Sequence, residues 1–118
     1  QRAALARCLA RQPKILFLDE PFGALDEITR ESMQDLLLKV VRDYQAAALL
    51  ITHDIDEALR VADRIILLGG RPANTLGEWL IDLPHPRDDF IAEQGAIRIQ
   101  ILSALRQAQL TGQPIPSL

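Results

Sequence analysis

The sequence predicts an α/β fold in which strands alternate with helices on short connections, and three observations carry that expectation. Ile15-Leu16-Phe17-Leu18 and Ala47-Ala48-Leu49-Leu50-Ile51 are short unbroken apolar runs, read as strands buried on both faces. Between them Met33, Leu36, Leu37, Val40, Val41 and Tyr44 recur at helical spacing. Each apolar run stops abruptly in polar residues, Asp19-Glu20 after the first and Thr52-His53-Asp54 after the second. In open α/β sheets ligands bind beyond the carboxyl ends of the strands. Two carboxylates and an imidazole are therefore predicted at one edge of one sheet.

A chain of 118 residues falls within the usual size of a single domain, about 100–150 residues. Apolar residues make up 48% of it and aromatics only 4%, so the core is expected to be aliphatic. A formal net charge of −3 gives no case for a nucleic-acid partner, which usually demands a basic patch. Cys8 is the sole cysteine, so no internal disulfide can form and a reducing compartment is the simpler setting. No apolar run approaches the roughly 18 residues of a membrane span. Any link to a membrane is expected to run through a partner.

In chain order, residues 2–11 are rich in Ala, Leu and Arg and read as a helix, which Gln12-Pro13 stops. The chain thus opens at Gln1 directly into a helix-like segment, as though cut inside an element. The first strand follows at about 14–19, and Pro21 ends its ladder. Phe22-Gly23-Ala24-Leu25-Asp26 forms a loop whose last residue suits a helix cap, and the helix runs from Glu27 to Tyr44. After the second strand, Asp54 and Glu57 have capping-box spacing and start a short helix through Ala62. Ile65-Ile66-Leu67-Leu68 is a third strand. This alternation favours parallel strands joined by right-handed crossovers.

Beyond Gly69-Gly70-Arg71-Pro72 the pattern changes. Gly77, Trp79, Ile81 and Leu83 alternate with Glu78, Leu80 and Asp82, as in an edge strand with one wetter face. Pro84-His85-Pro86-Arg87 is read as a rigid exposed connector. A final helix at about 88–109 carries Ile97, Ile101, Leu105 and Ala108. The residues from Gly112 on are expected to fray.

Taken singly, Asp19 and Glu20 could be capping or solvated loop residues, and His53 a loop residue oriented by Asp54. Adjacent like charges repel, however, and a bound cation would relieve them. Pro21, the Gly23-Ala24-Leu25-Asp26 loop and the Thr-His-Asp after the next strand make coincidence a poor account. Cys8 on an Ala-rich helix reads as packing, Trp79 as a packed strand residue and His85 as exposed and idle. His53 and Glu57 have metal-pair spacing, but no third ligand or zinc-type motif accompanies them.

Together the segments ILFLDEPFGALD, LLITHDIDEALRVADRIILL and QRAALARCLARQPK resemble the ATP-binding subunit of ABC transporters. They are similar to its Walker B strand, D-loop, switch histidine and the helix after its signature sequence, from residue 1 to about 70. The tail, with LPHPRDDFI and an amphipathic helix, is similar to importers of the nitrate, sulfonate and taurine group. The resemblance implies a P-loop NTPase-like fold with a partial parallel sheet flanked by helices, an edge strand and a C-terminal helix. It makes residues 1–118 the C-terminal portion of an ABC-type ATPase domain, with 1–70 the Walker B to switch-histidine core and 71–118 the edge strand and last helix.

Position by position, the resemblance implies that Asp19 holds Mg²⁺ through water, since Mg²⁺ keeps several waters and few protein carboxylates. Glu20 would polarise the attacking water, and His53 would contact the γ-phosphate of ATP. Asp26 would belong to the loop that meets a second ATPase subunit, and Gln1 and Arg2 would close the signature segment. The family often has Ser where Gly23 stands, and Gly also occurs there. Implied partners are membrane-spanning transporter subunits, the second ATPase subunit and, in importers, a solute-binding protein. The implied location is the cytoplasmic face of the cell membrane.

ATP in that family is held chiefly by a Gly-rich loop with a lysine, and no G-x-x-x-x-G-K-[ST] occurs in these 118 residues. The expectation is a chain like the second half of a nucleotide-binding domain, which alone binds ATP weakly and hydrolyses none measurably. Exposed sheet edges and a tendency to associate should follow. The competing expectation is a non-catalytic piece or a module pairing with a separate upstream half. A related ATPase of DNA repair or chromosome maintenance shares the same strand-end logic. The acidic balance, the lack of a heptad-repeat arm and the importer-like tail argue against it.

Overall fold

The computed structural model describes residues 14–70 and 72–111. The expected helix over 2–11, with Gln1, Arg2 and Cys8, lies outside the described residues, as do residues 112–118. The chain divides into two compact units, 1–53 and 54–118.

In the first unit the two apolar runs become strands β1 (Ile15–Asp19) and β2 (Ala47–Ile51). They pair in parallel, Ile15 opposite Ala47 through to Asp19 opposite Ile51. Helix α1 (Glu27–Asp43) makes the crossover between them. Asp26 starts it as expected, accepting the Thr29 backbone N–H at 2.8 Å. Its C-terminus closes through Gln45, whose φ of 50° is left-handed, in a turn where the Ala46 N–H donates to the Val41 carbonyl at 3.1 Å. Met33, Leu37 and Val40 are buried against Leu16 and Phe22, which make the unit's core.

Two details differ from the sequence pattern. On α1, Gln34 is buried while Leu36 and Tyr44 are exposed, because the buried arc turns towards Gln34 and Tyr44 lies past the end of the helix. Among the described residues, the strands, expected to be covered on both faces, are covered on one. Leu16 is 3% exposed, but Phe17 is 74% exposed, and Ile15, Leu49 and Ile51 are exposed beside it. Side chains alternate across a strand, and α1 packs on the Leu16 side only.

In the second unit, Asp54 caps helix α2 (Ile55–Val61) by accepting the Glu57 N–H at 3.2 Å. Strand β3 (Arg64–Gly69) then pairs antiparallel with β4 (Asn74–Leu80), in a two-stranded sheet separate from that of β1 and β2. The third strand is therefore not a parallel member of the first sheet among the described residues, as the strand–helix alternation had favoured. The short turn after Gly69 sets the pairing of β3 with β4. A few residues can return the chain only as an antiparallel neighbour, whereas a parallel one needs a crossover of a dozen or more. Gly70, with φ of 86°, makes the turn possible.

The alternation on β4 appears as expected, with Gly77, Trp79 and Ile81 inward and Leu80 outward. It slips only where a register shift after Leu67 leaves Leu76 unopposed, so that Leu76 and Gly77 are both buried. Helix α3 (Ile91–Thr111) buries Ile101 and Ala104 against Leu59, Trp79 and Ile81. The Trp79 indole N–H donates to Gln100 Oε1 at 3.0 Å.

Arg87 overturns the expectation of an exposed connector over 84–87. It is 2% exposed, and its guanidinium donates to the carbonyls of Leu59 (2.8 Å), Ala62 (2.6 Å), Leu83 (3.1 Å) and Ile81 (3.4 Å). Two of those carbonyls lie at the C-terminal end of α2, where helices leave acceptors unsatisfied and favour cations. The last helix starts at Ile91 rather than 88 because the preceding turn serves this contact: the Arg87 carbonyl accepts from the Phe90 N–H and from Gln94 Nε2. His85 is exposed, as expected; its pKa is lowered by partial desolvation and by the positive charge of Arg87.

Candidate functional site

The parallel pairing of β1 with β2 brings the two polar strand ends to the same edge of one sheet. The Glu20 N–H donates to the Ile51 carbonyl at 2.8 Å, so the ladder runs one residue past β1 before Pro21 ends it. There the backbone turns left-handed, with a φ of 48° at Glu20. For a non-glycine residue this conformation is uncommon, and such residues cluster at functional sites. The turn sends the Glu20 side chain across to the segment that follows β2. Its Oε1 accepts the His53 backbone N–H at 3.1 Å and lies 2.7 Å from His53 Nδ1.

That contact fixes the imidazole. Facing a carboxylate, Nδ1 carries the proton and donates it. In a ring held this way Nε2 is an acceptor when the ring is neutral, and a donor to a phosphate oxygen only when the ring is doubly protonated. The pair sits in water: the His53 side chain is 86% exposed and that of Glu20 38%. It therefore contributes little to stability.

Asp19 ends β1 with an exposed side chain, and no side-chain partner for it is found among the described residues. No group of three or more His, Cys, Asp or Glu able to hold a metal occurs among the described residues. A single accessible carboxylate still suits Mg²⁺, a hard ion usually held by one or two carboxylates, waters and substrate phosphates.

Asp26 lies at the other end of the same loop and is occupied as the cap of α1. Its Oδ1 accepts the Thr29 N–H at 2.8 Å and its Oδ2 the Thr29 hydroxyl at 3.1 Å. Those bonds, the backbone one foremost, hold its pKa below the ordinary 3.8. Between the two acids Gly23 runs beside Glu20. A Cβ there would stand 3.6 Å from the Glu20 carbonyl oxygen and 3.8 Å from its Oε2, ordinary contact distances. Glycine is not sterically required, in keeping with the serine common at this place in the resemblance.

Asp19, Glu20 and His53 are thus brought to one edge, Asp26 borders them along the loop, and Gln1 and Arg2 lie outside the described residues. Sequence reasoning missed Arg30. Its Nε donates to the Phe22 carbonyl at 3.3 Å and its Nη2 to the Leu25 carbonyl at 3.0 Å. A faint signal was present, since a cation in the first turns of a helix opposes the macrodipole and so calls for a partner elsewhere.

No family model matches the chain. Among curated proteins it is 46% identical over 110 residues to an aliphatic sulfonates import ATP-binding protein of Pseudomonas aeruginosa, covering 93% of this chain and 44% of that relative. A second aliphatic sulfonates import ATP-binding protein, from Rhizobium johnstonii, is 49% identical over 105 residues, 89% of this chain and 41% of its own length. A bicarbonate transport ATP-binding protein of Synechococcus elongatus is 53% identical over 89 residues, 75% of this chain and 32% of its own length. The chain spans less than half the length of each of these relatives. Their shared description matches the resemblance carried by residues 1–70, and the chain belongs to the family of ATP-binding subunits of ABC importers.

Proposed function

We propose that the chain acts as the C-terminal part of an ATP-hydrolysing subunit that powers import of a small oxyanion of the aliphatic sulfonate class. The observation that carries this is the contact of Glu20 Oε1 with His53 Nδ1 at 2.7 Å, beyond the carboxyl ends of two parallel strands. Phosphoryl transfer depends mainly on positioning and electrostatic stabilisation, and here the residues suited to those tasks share one edge. Glu20 orients and polarises the attacking water, and His53 reads the γ-phosphate through its outer nitrogen. Asp19 would hold Mg²⁺, which when bound neutralises charge on the phosphates. The loop through Asp26 faces a second ATPase subunit, and Gln1 and Arg2 end the signature segment. Membrane-spanning subunits at the cytoplasmic face would turn the closing and opening of the paired ATPases into transport.

The sulfonate class is favoured over bicarbonate by relatives matched over 93% and 89% of the chain, against 75% for the bicarbonate protein. A second proposal is favoured by one observation. No G-x-x-x-x-G-K-[ST] motif occurs in the 118 residues, so the isolated chain is expected to bind nucleotide weakly and without turnover. Titration of a fluorescent ATP analogue with and without Mg²⁺ tests both. Weak, Mg²⁺-dependent binding that Asp19→Asn removes supports the assignment, and binding indifferent to Asp19 and His53 overturns it.

A further inference from the structure

Glu20 and Asp26 bound a loop of only seven residues, yet the loop's own backbone bonds are long. The Gly23 N–H donates to the Glu20 carbonyl at 3.3 Å, and the Leu25 N–H to the Phe22 carbonyl at 3.2 Å. Against these stands the Arg30 guanidinium, which reaches back from α1 to the carbonyls of Phe22 (3.3 Å) and Leu25 (3.0 Å). One fork thus grips both ends of the second of those turns. The fork is partly buried, and hydrogen bonds to a charged group in such a place are about twice as strong as neutral ones. Phe22 is anchored on its other side, its ring 2% exposed in the core with Leu16, Met33, Leu37 and Val40.

We infer that Arg30 is a positioning residue: its fork, closed on the Phe22 and Leu25 carbonyls, fixes the loop that delivers the Glu20 carboxylate to His53. The inference rests on the reading of Glu20 and His53 as the working pair. The mechanical chain is short. Glu20 keeps a left-handed backbone, a conformation disfavoured for an L-residue, and it persists only where its surroundings hold it. Upstream the holder is the ladder bond to Ile51. Downstream it is the turn through Gly23, which lies alongside the Glu20 carboxylate and which Arg30 clamps. A guanidinium is suited to this because its rigid planar fork spans two acceptors at once, which a single ammonium does not. Arg30 also stands near Asp26 and contributes, as the least of several causes, to that residue's lowered pKa. One side chain thereby bears on both acids of the loop.

The test needs no nucleotide. In the 118-residue chain, the ring-nitrogen NMR shifts of His53 report its Nδ1 hydrogen bond, and hydrogen exchange reports the Gly23 and Leu25 amides. Arg30→Met should speed exchange at Leu25 by about tenfold or more, the equivalent of losing one charge-assisted bond. It should also move His53 Nδ1 towards the shift seen in Glu20→Gln. Arg30→Lys, which keeps the charge and loses the fork, should behave like Arg30→Met. Parent-like His53 shifts in both variants, with thermal stability lowered, would make Arg30 a packing residue and overturn the inference. So would full recovery by Arg30→Lys. Should Arg30→Met fail to fold, Arg30→Lys alone decides by the same two signals. Failure of the chain to bind an ATP analogue would count against the proposed function and leave this assignment untouched.

Discussion

Glu20 reaches His53 twice, through the backbone N–H at 3.1 Å and through Nδ1 at 2.7 Å, from a backbone that is itself left-handed. The carboxylate is held at two points while its partner imidazole remains 86% exposed. Exposed ion pairs contribute about 0–1 kcal/mol. Glu20→Gln and His53→Ala should each therefore change the unfolding free energy, measured in urea, by less than about 1 kcal/mol. Both should weaken ATP-analogue binding. ATP turnover by the isolated chain that Glu20→Gln abolished would contradict the expectation of an inactive chain.

The cap of α1 carries a pH signature. The Asp26 carboxyl titrates below its ordinary 3.8, chiefly through the bond from the Thr29 N–H. A depressed folded-state pKa means stability that is present above 3.8 and lost as pH falls through the lower folded value. Thermal melts should therefore show the parent losing stability on acidification below about pH 4. Asp26→Ala should be less stable at neutral pH and show a smaller loss over that acid window. Asp26→Asn, which keeps a capping oxygen without the charge, should fall between them.

Much of the first unit was legible because its signals are local. The strand ends at Asp19-Glu20 and His53, the cap at Asp26 and the core positions Met33, Leu37 and Val40 follow from apolar runs, periodicity and short-range side-chain chemistry. The left-handed turn at Glu20 was not legible, since the residue has no intrinsic preference for it and is held there from outside. The partner of β3 was lost for another reason. The helix before it was weighed, while the short return after Gly69 sets the pairing. Coverage of one face of β1 alone was equally hidden, because a strand of apolar residues looks the same with one cover or two. Arg30 and Arg87 escaped notice together. Each satisfies backbone carbonyls, and carbonyls carry no residue identity for a sequence pattern to display.

Arg87 is where that blind spot costs most in stability. Four carbonyls from two segments converge on one guanidinium that is 2% exposed. Each buried acceptor left unsatisfied costs about 1–3 kcal/mol, and those at Leu59 and Ala62 make the shortest bonds. Arg87→Met, close in shape and without donors, should lower the unfolding free energy by about 3 kcal/mol or more. Asp63, 88% exposed and 3.8 Å from the guanidinium, is a weak partner by comparison. Asp63→Asn should stay within about 0.5 kcal/mol of the parent. Equal effects from the two substitutions would mean that the ion pair, and not the carbonyl cluster, holds the arginine.

Gly23 offers the converse case, a residue whose replacement should help. A side chain there would meet only the Glu20 carbonyl at 3.6 Å and its Oε2 at 3.8 Å. Removing a glycine at a compatible site stabilises by about 0.4–1 kcal/mol, chiefly by restricting the unfolded chain. Gly23→Ala should show that gain in urea denaturation. Gly23→Ser should show it too, and in addition its hydroxyl stands within reach of the Glu20 carboxylate and can donate to it. Such a donor to Oε2 draws charge from the carboxylate whose Oε1 meets His53, so the His53 ring-nitrogen shifts should move in Gly23→Ser and stay put in Gly23→Ala. A loss of more than about 1 kcal/mol in Gly23→Ala would instead place the loop closer to Glu20 than 3.6 Å and 3.8 Å allow.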